Sequence, residues 1–227
     1  MKKYLLLWDI DGTLIKGSGV GVRAILLAMK RLYGIDVSLD GYDYRGRTDI
    51  LIAQWLLPQH GIEATNENIT AYLNAYLNAL EELLAPTERN HMPGIVEILE
   101  LAHQRPDIVQ ALLTGNLERG AFIKLKHHQI DHYFKFGAYS DDSHIRNELG
   151  PIALKRAKEK LDAEFLPENV YIIGDTPHDI ACGKVIGAKT IAVATGGFSK
   201  EQLASHEPTA VFENLSDATR FFELLEA

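Results

Sequence analysis

Two aspartates one residue apart, Asp9 and Asp11, follow directly on the apolar run Tyr4 to Trp8, and Gly12 and Thr13 come next, in the stretch YLLLWDIDGT. Carboxylates this close repel one another and need a cation or a shared proton. A second polar group, Thr114-Gly115-Asn116, closes the apolar run DIVQALL, and a third, Asp175 with Asp179, closes NVYIIG. If the three runs are neighbouring parallel strands, Asp9, Asp11, Thr114, Asn116, Asp175 and Asp179 converge beyond their carboxyl ends, where open α/β sheets bind ligands. Hard oxygen donors of this kind suit Mg²⁺, which keeps several waters and takes one or two carboxylates together with a substrate phosphate.

The elements that must position these residues alternate along the chain. Tyr4 to Trp8 reads as a buried strand, and a largely helical stretch follows to about Leu84. Within it, Ile69, Leu73, Tyr76, Leu77, Leu80 and Leu84 recur at helical spacing. From Pro93 onward the pattern is helix (93–104), strand (107–116), helix (117–128), short strand near 134–140, helix (148–161), strand (169–175), helix (177–187), strand (188–196) and a last helix near 215–226. Apolar strands alternating with helices predict a parallel sheet covered on both faces. The helical stretch is then an insertion after the first strand. KGSGVG, with three glycines, and APTERNHMPG, with two prolines, mark its edges as hinges. The expected division is a core of residues 1–15 and 91–227 and a helical unit of residues 16–90.

The chain has 227 residues, 46% hydrophobic and 24% charged, enough to bury a sizeable core. A formal net charge of -8 offers no basic surface for a nucleic-acid backbone, so no nucleic-acid partner is expected. The single cysteine, Cys182, cannot pair within the chain, which fits a reducing cytoplasm and a buried, inert thiol. MKKYLLLW opens like a signal peptide, but its apolar run is cut short by Asp9, and no segment approaches the roughly 20 apolar residues of a membrane span. A cytoplasmic chain with no targeting segment and no membrane partner is the expectation.

DIDGT, LLTGN and GDTPHD, in that order and each at the end of an apolar strand, resemble the motifs of the haloacid dehalogenase superfamily of aspartate-nucleophile phosphohydrolases. The insertion between the first two motifs is similar to the mobile cap of the phosphoglycolate phosphatase and β-phosphoglucomutase branch, and MPGIVEILELA resembles the segment returning from that cap. The resemblance implies an α/β fold, a Rossmann-like parallel sheet core with an inserted all-helical cap. It implies Asp9 as nucleophile forming an aspartyl-phosphate, and Asp11 as general acid and base. A proton on Asp11 would be favoured by its negative neighbours. Thr114 matches the hydroxyl that bonds a phosphoryl oxygen, backbone N–H groups near Asp11, Gly115 and Asn116 add donors, and Gly12 and Gly115 let the backbone approach. Asp9, Asp11 through its carbonyl, and Asp175 match the Mg²⁺ ligands, with Asp179 behind them.

Repulsion between Asp9 and a phosphate is on the order of 4 kcal/mol per unit charge pair at 4 Å and an effective dielectric of 20. The family adds a lysine or arginine to offset it. Here the usual Lys-Pro is missing; Arg146 stands where that cation is expected, with Lys155 as the alternative. Arg45 and Arg47 are the cap cations that can read a leaving group, against a plain reading as solvated charges beside a helix start at Thr48 and Asp49. The histidines of KHH and His132 read as surface residues. The expected activity is Mg²⁺-dependent hydrolysis of a small phosphorylated metabolite, with phosphoglycolate or a related monoester as the leading substrate. The alternatives are a phosphomutase, a phosphonate hydrolase using Lys30, or a non-catalytic binding protein on the same fold. A dehalogenase is disfavoured because that activity normally lacks the second acid of DIDGT.

Overall fold

The computed structural model describes residues 3–226. Six parallel strands form one sheet: β1 (Tyr4–Trp8), β2 (Ile108–Leu113), β3 (Gly137–Ala138), β4 (Val170–Gly174), β5 (Lys189–Val193) and β6 (Ala210–Phe212). Their order is β3-β2-β1-β4-β5-β6, so the strand that delivers Asp9 lies at the centre, between those that deliver Thr114 and Asp175. Trp8 pairs with Leu112 of β2 and with Ile173 of β4, which brings the three strand ends level.

Alternation along β1 divides the core. Tyr4, Leu6 and Trp8 pack on one face with α4 (Ile95–Gln104), α5 (Glu118–His127) and α9 (Ala218–Glu226). Leu5 and Leu7 pack on the other with α6 (Leu149–Leu161) and Cys182 of α7 (Pro177–Val185). Both faces are covered, so the strands read as continuous apolar runs. Cys182 is fully buried, and burial pushes its thiol up to about 11, as an inert cysteine requires.

Residues 20–84 form α1 (Val20–Tyr33), α2 (Asp49–Gln59) and α3 (Asn66–Leu84), with a hydrophobic cluster that also takes in Leu117 and is distinct from those on the sheet. Leu39, Ile52, Leu56, Tyr72, Tyr76 and Leu80 are buried in it. Two short segments join this layer to the sheet side by side: Lys16 N–H donates to Asn90 O at 2.9 Å and Met92 N–H to Leu14 O at 3.0 Å. Ser18 and Gly19, both at positive φ, turn the chain from the first segment into α1.

Two sequence expectations need correction. His128 is buried rather than on the surface; its ring contacts those of His91 and His127, and burial pushes its pKa down to about 4. The last third also contains two elements the periodicity did not reveal, β6 and α8 (Lys200–Ala204), both too short to display a period.

Candidate active site

Asp9 extends β1 by one residue, its N–H donating to Ile173 O at 2.9 Å, and its carboxylate is buried at the sheet's carboxyl edge. The chain then turns sharply. Gly12 sits at φ 85°, and a Cβ there would lie 2.6 Å from Asp175 Oδ2, so glycine is required both for the turn and for the approach of Asp175. Gly196, on the loop after β5, is packed against the same carboxylate, where a Cβ would come within 1.6 Å. Thr13 Oγ1 donates to Asp175 Oδ1 at 3.1 Å.

Arg146 enters from a single 3₁₀ turn preceding α6. Its Nη2 donates to Asp9 Oδ1 at 2.8 Å and to Asp179 Oδ1, and its Nη1 donates to Gly46 O at 3.0 Å. The guanidinium is 7% exposed, and its two carboxylate partners outweigh burial and hold it ionised. Lys155, the alternative cation, lies on the outer face of α6 with its side chain 75% exposed, opposite Glu159. It is remote from the acids because α6 turns Leu149, Gly150, Ala153 and Ala157 inward.

Asp9, Asp175 and Asp179 each bring a carboxylate oxygen within 4.8 Å of the others, all three buried. Asp179 is already committed: its Oδ2 accepts from Thr176 N–H at 3.0 Å and Thr176 Oγ1 at 2.7 Å, tying down the start of α7. Burial pushes Asp9 up to about 6 against the opposing pull of Arg146, while Asp179 and Asp11 add to the rise. Burial, then Asp9 and Asp179, raise Asp175 well above the carboxylate range. One arginine therefore does not neutralise the cluster. The excess negative charge on hard oxygens fits a divalent cation held by Asp9 and Asp175.

Asp11 is in a different environment. Its Oδ2 accepts from Lys124 Nζ at 2.5 Å and from Asn116 Nδ2 at 2.9 Å. Burial alone would raise its pKa, but the Lys124 charge and hydrogen bond, with the Asn116 amide, bring it below the usual value. The sequence expectation that negative neighbours favour a proton on Asp11 meets an opposing group here: the buried Lys124 ammonium, which the sequence reading did not single out, favours the ionised form.

A cavity of about 360 Å³ opens between the sheet edge and the helical layer. Asp9, Asp11, Gly12, Gly115, Asn116, Arg146 and Asp175 line its floor, and Arg45 and Arg47 its opposite side. Thr114 lies just behind the floor, fully buried, its hydroxyl accepting from Asn116 Nδ2 at 2.8 Å. Arg45 lies over the Phe198 ring at 4.8 Å, and Arg47 Nε donates to Asp43 O at 3.3 Å. Val22, Ile25, Ile52 and Met92 give the cavity an apolar wall.

The helical layer is docked on the core at this cavity. Asp49 N–H donates to Gly115 O at 2.7 Å, Leu117 N–H to Asp49 Oδ2 at 2.8 Å, and Thr48 Oγ1 to His144 O at 2.7 Å. Thr48 also starts α2, accepting from Leu51 N–H at 3.3 Å. A Cβ on Gly115 would lie 2.2 Å from Arg47 O, so this glycine permits the close approach of the two layers.

The central aspartate and the sheet order are those of a haloacid dehalogenase-like fold, and the similarities to known proteins support a phosphatase and phosphomutase-like branch of that superfamily. Residues 146–218 match the family model described as HAD-hydrolase-like. Over 223 residues the chain is 29% identical to the pyrophosphatase PpaX of Bacillus mycoides, covering 96% of this chain and 95% of that protein. It superposes on the β-phosphoglucomutase of Clostridium difficile with a TM-score of 0.77 at 17% identity, over 100% of this chain and 98% of the other. A predicted phosphoglycolate phosphatase from Haemophilus somnus gives a TM-score of 0.74 at 19% identity, over 97% and 98% of the two chains.

Proposed function

We propose that the protein is a Mg²⁺-dependent phosphohydrolase that cleaves a small phosphorylated metabolite through an aspartyl-phosphate on Asp9. The observation that carries this reading is the pairing of two unlike carboxylates at one cavity: Asp9 buried against Arg146, and Asp11 held apart from it by Lys124 and Asn116. Asp9 attacks phosphorus, and the electron pair of the breaking P–O bond passes to the leaving oxygen. Asp11, ionised beside Lys124 in the free protein, takes up a proton as the anionic substrate enters beside it and delivers that proton to the leaving oxygen; its carboxylate then takes a proton from the water that attacks the phosphoenzyme. Arg146 offsets the repulsion between Asp9 and the incoming phosphoryl group, and backbone N–H groups around Gly115 and Asn116 receive its oxygens. Mg²⁺, held by Asp9, Asp175 and the Asp11 carbonyl, would neutralise charge on the transferring group. Asp179 orients Arg146 and the first turn of α7.

In this reading residues 16–90 are a cap that closes over the cavity and contacts the leaving group, with Arg45 and Arg47 as its cations. Support comes from the separate hydrophobic cluster of α1–α3 and from the paired connecting segments near residues 15 and 91. Phosphoglycolate and related monoesters remain the leading substrates, and the resemblance to PpaX adds pyrophosphate. The test is phosphate release from a panel of phosphorylated metabolites and pyrophosphate, with Mg²⁺ and with excess chelator. Metal-dependent release is expected. No release from any compound, or equal release in chelator, contradicts the proposal.

A further inference from the structure

Lys124 lies within α5 on the same face as the buried residues Gly120 and Ala121, and it is only 5% exposed. A lysine at such a position costs desolvation unless its ammonium is paired. Nζ donates to Asp11 Oδ2 at 2.5 Å and to Asn116 Oδ1 at 2.6 Å. Asn116 Nδ2 in turn donates to Asp11 Oδ2 at 2.9 Å and to Thr114 Oγ1 at 2.8 Å. The three side chains close a ring in which Asn116 is fixed from both sides. Asp11 Oδ2 receives two donors. Its Oδ1 takes no hydrogen bond among the described residues and faces Gly17, where a Cβ would come within 3.4 Å. Lys124 also lines the cavity beside Asp11 and Asn116.

We propose that Lys124 is a positioning residue for proton transfer, anchoring Asp11 Oδ2 together with Asn116 so that Oδ1 is the oxygen that exchanges the proton with the leaving group. This deepens, and rests on, the phosphohydrolase reading above. The Asp11 side chain, partly buried in the turn after β1, has no side-chain hydrogen bond among the described residues other than those from Lys124 and Asn116, whereas α5 is packed on the sheet. Orientation of a reacting group is worth large factors in rate, and a displacement of about 1 Å can cost on the order of 10²-fold. The cost appears where protonation matters, as the P–O bond breaks and its electron pair passes to a basic leaving oxygen.

The test uses a series of substituted phenyl phosphates of similar size and graded leaving-group basicity, assayed as kcat/KM, which reports the phosphoryl-transfer step. Lys124→Met is expected to lose about 10²-fold on phenyl phosphate and less than about tenfold on p-nitrophenyl phosphate, whose leaving group departs without a proton. In an Asp11→Asn background the same substitution is expected to add little, because the group it positions is already disabled. Lys124→Gln, which keeps a donor, serves if the methionine variant fails to fold and is expected to show a smaller loss of the same pattern. Equal losses across the series, a change in KM alone, or losses that multiply in the double variant overturn the role of Lys124 and leave the phosphohydrolase reading standing. A wild-type protein that hydrolyses none of the series or of the metabolite panel overturns both.

Discussion

Replacing Arg146 by methionine removes the only cation hydrogen-bonded to Asp9 and Asp179 among the described residues and keeps roughly the same length of apolar stem. At the 2.8 Å separation from Asp9, a unit charge pair is worth about 6 kcal/mol at an effective dielectric of 20. Much of that offsets the desolvation of the guanidinium, and measured costs of breaking one side of a buried pair are about 3–5 kcal/mol. For a chain of this size, each kcal/mol shifts the melting temperature by about 2–4 °C, so Arg146→Met should melt about 6–20 °C below the wild type in metal-free buffer. Two conditions should shrink the deficit. Saturating Mg²⁺ restores a cation to the cluster and stabilises whichever form binds it. Acid does so for another reason: the folded-state value of Asp9, about 6, lies above its ordinary 3.8, so its ionisation costs stability as pH rises through that window. Without Arg146 the value rises further, and the variant should suffer less at pH 5 than at pH 8. Scanning calorimetry at the two pH values, with and without Mg²⁺, reads all of this. Arg146→Lys should recover only part, since one ammonium cannot serve both carboxylates and Gly46 O together, and Lys155→Met should be silent. A melting temperature for Arg146→Met within about 2 °C of the wild type, with normal turnover, refutes the charge argument.

Asp9→Asn should abolish turnover while leaving the fold intact, as seen by circular dichroism and phosphate release, because an amide is a poor nucleophile; a folded, active variant removes the aspartyl-phosphate mechanism. Asp175→Ala should need far more Mg²⁺ than the wild type for half-maximal activity, and metal titration by calorimetry should show the same weakening; an unchanged requirement removes Asp175 from the metal site. Arg45→Ala and Arg47→Ala should change kcat/KM unequally among phosphorylated substrates while the Mg²⁺ dependence stays put, and identical kinetics across the panel would return both to the role of solvated charges.

The parts of the fold that were legible in the sequence are those whose burial is uniform. β1, β2 and β4 are buried along their whole length, so each appears as a largely apolar run, interrupted in β2 only by the buried Gln110, and the polar residue that follows each run marks the edge of the sheet. β6 is three residues long and only half-buried at the sheet edge, and its three residues carry no alternation to read. The choice between Arg146 and Lys155 was within reach of helical spacing alone. Leu149, Ala153 and Ala157 repeat every four residues, and a residue midway between the last two points to the opposite face. Lys124 posed the reverse problem. It follows Gly120 and Ala121 by four and three residues, so the same argument puts it on the inner face of α5, yet beside Lys126, His127 and His128 nothing in its type sets it apart. The reason for tolerating a buried lysine there is a carboxylate 113 residues earlier in the chain, and no local pattern contains it. Local periodicity can therefore mark a charged residue as inward-facing and anomalous, but the partner that makes its burial affordable is set by sheet order, which places the end of β1 beside the start of α5. An inward lysine or arginine in a motif-bearing helix is accordingly a signal to search for an acid on the neighbouring strand's end. In this chain that search leads from Lys124 to Asp11.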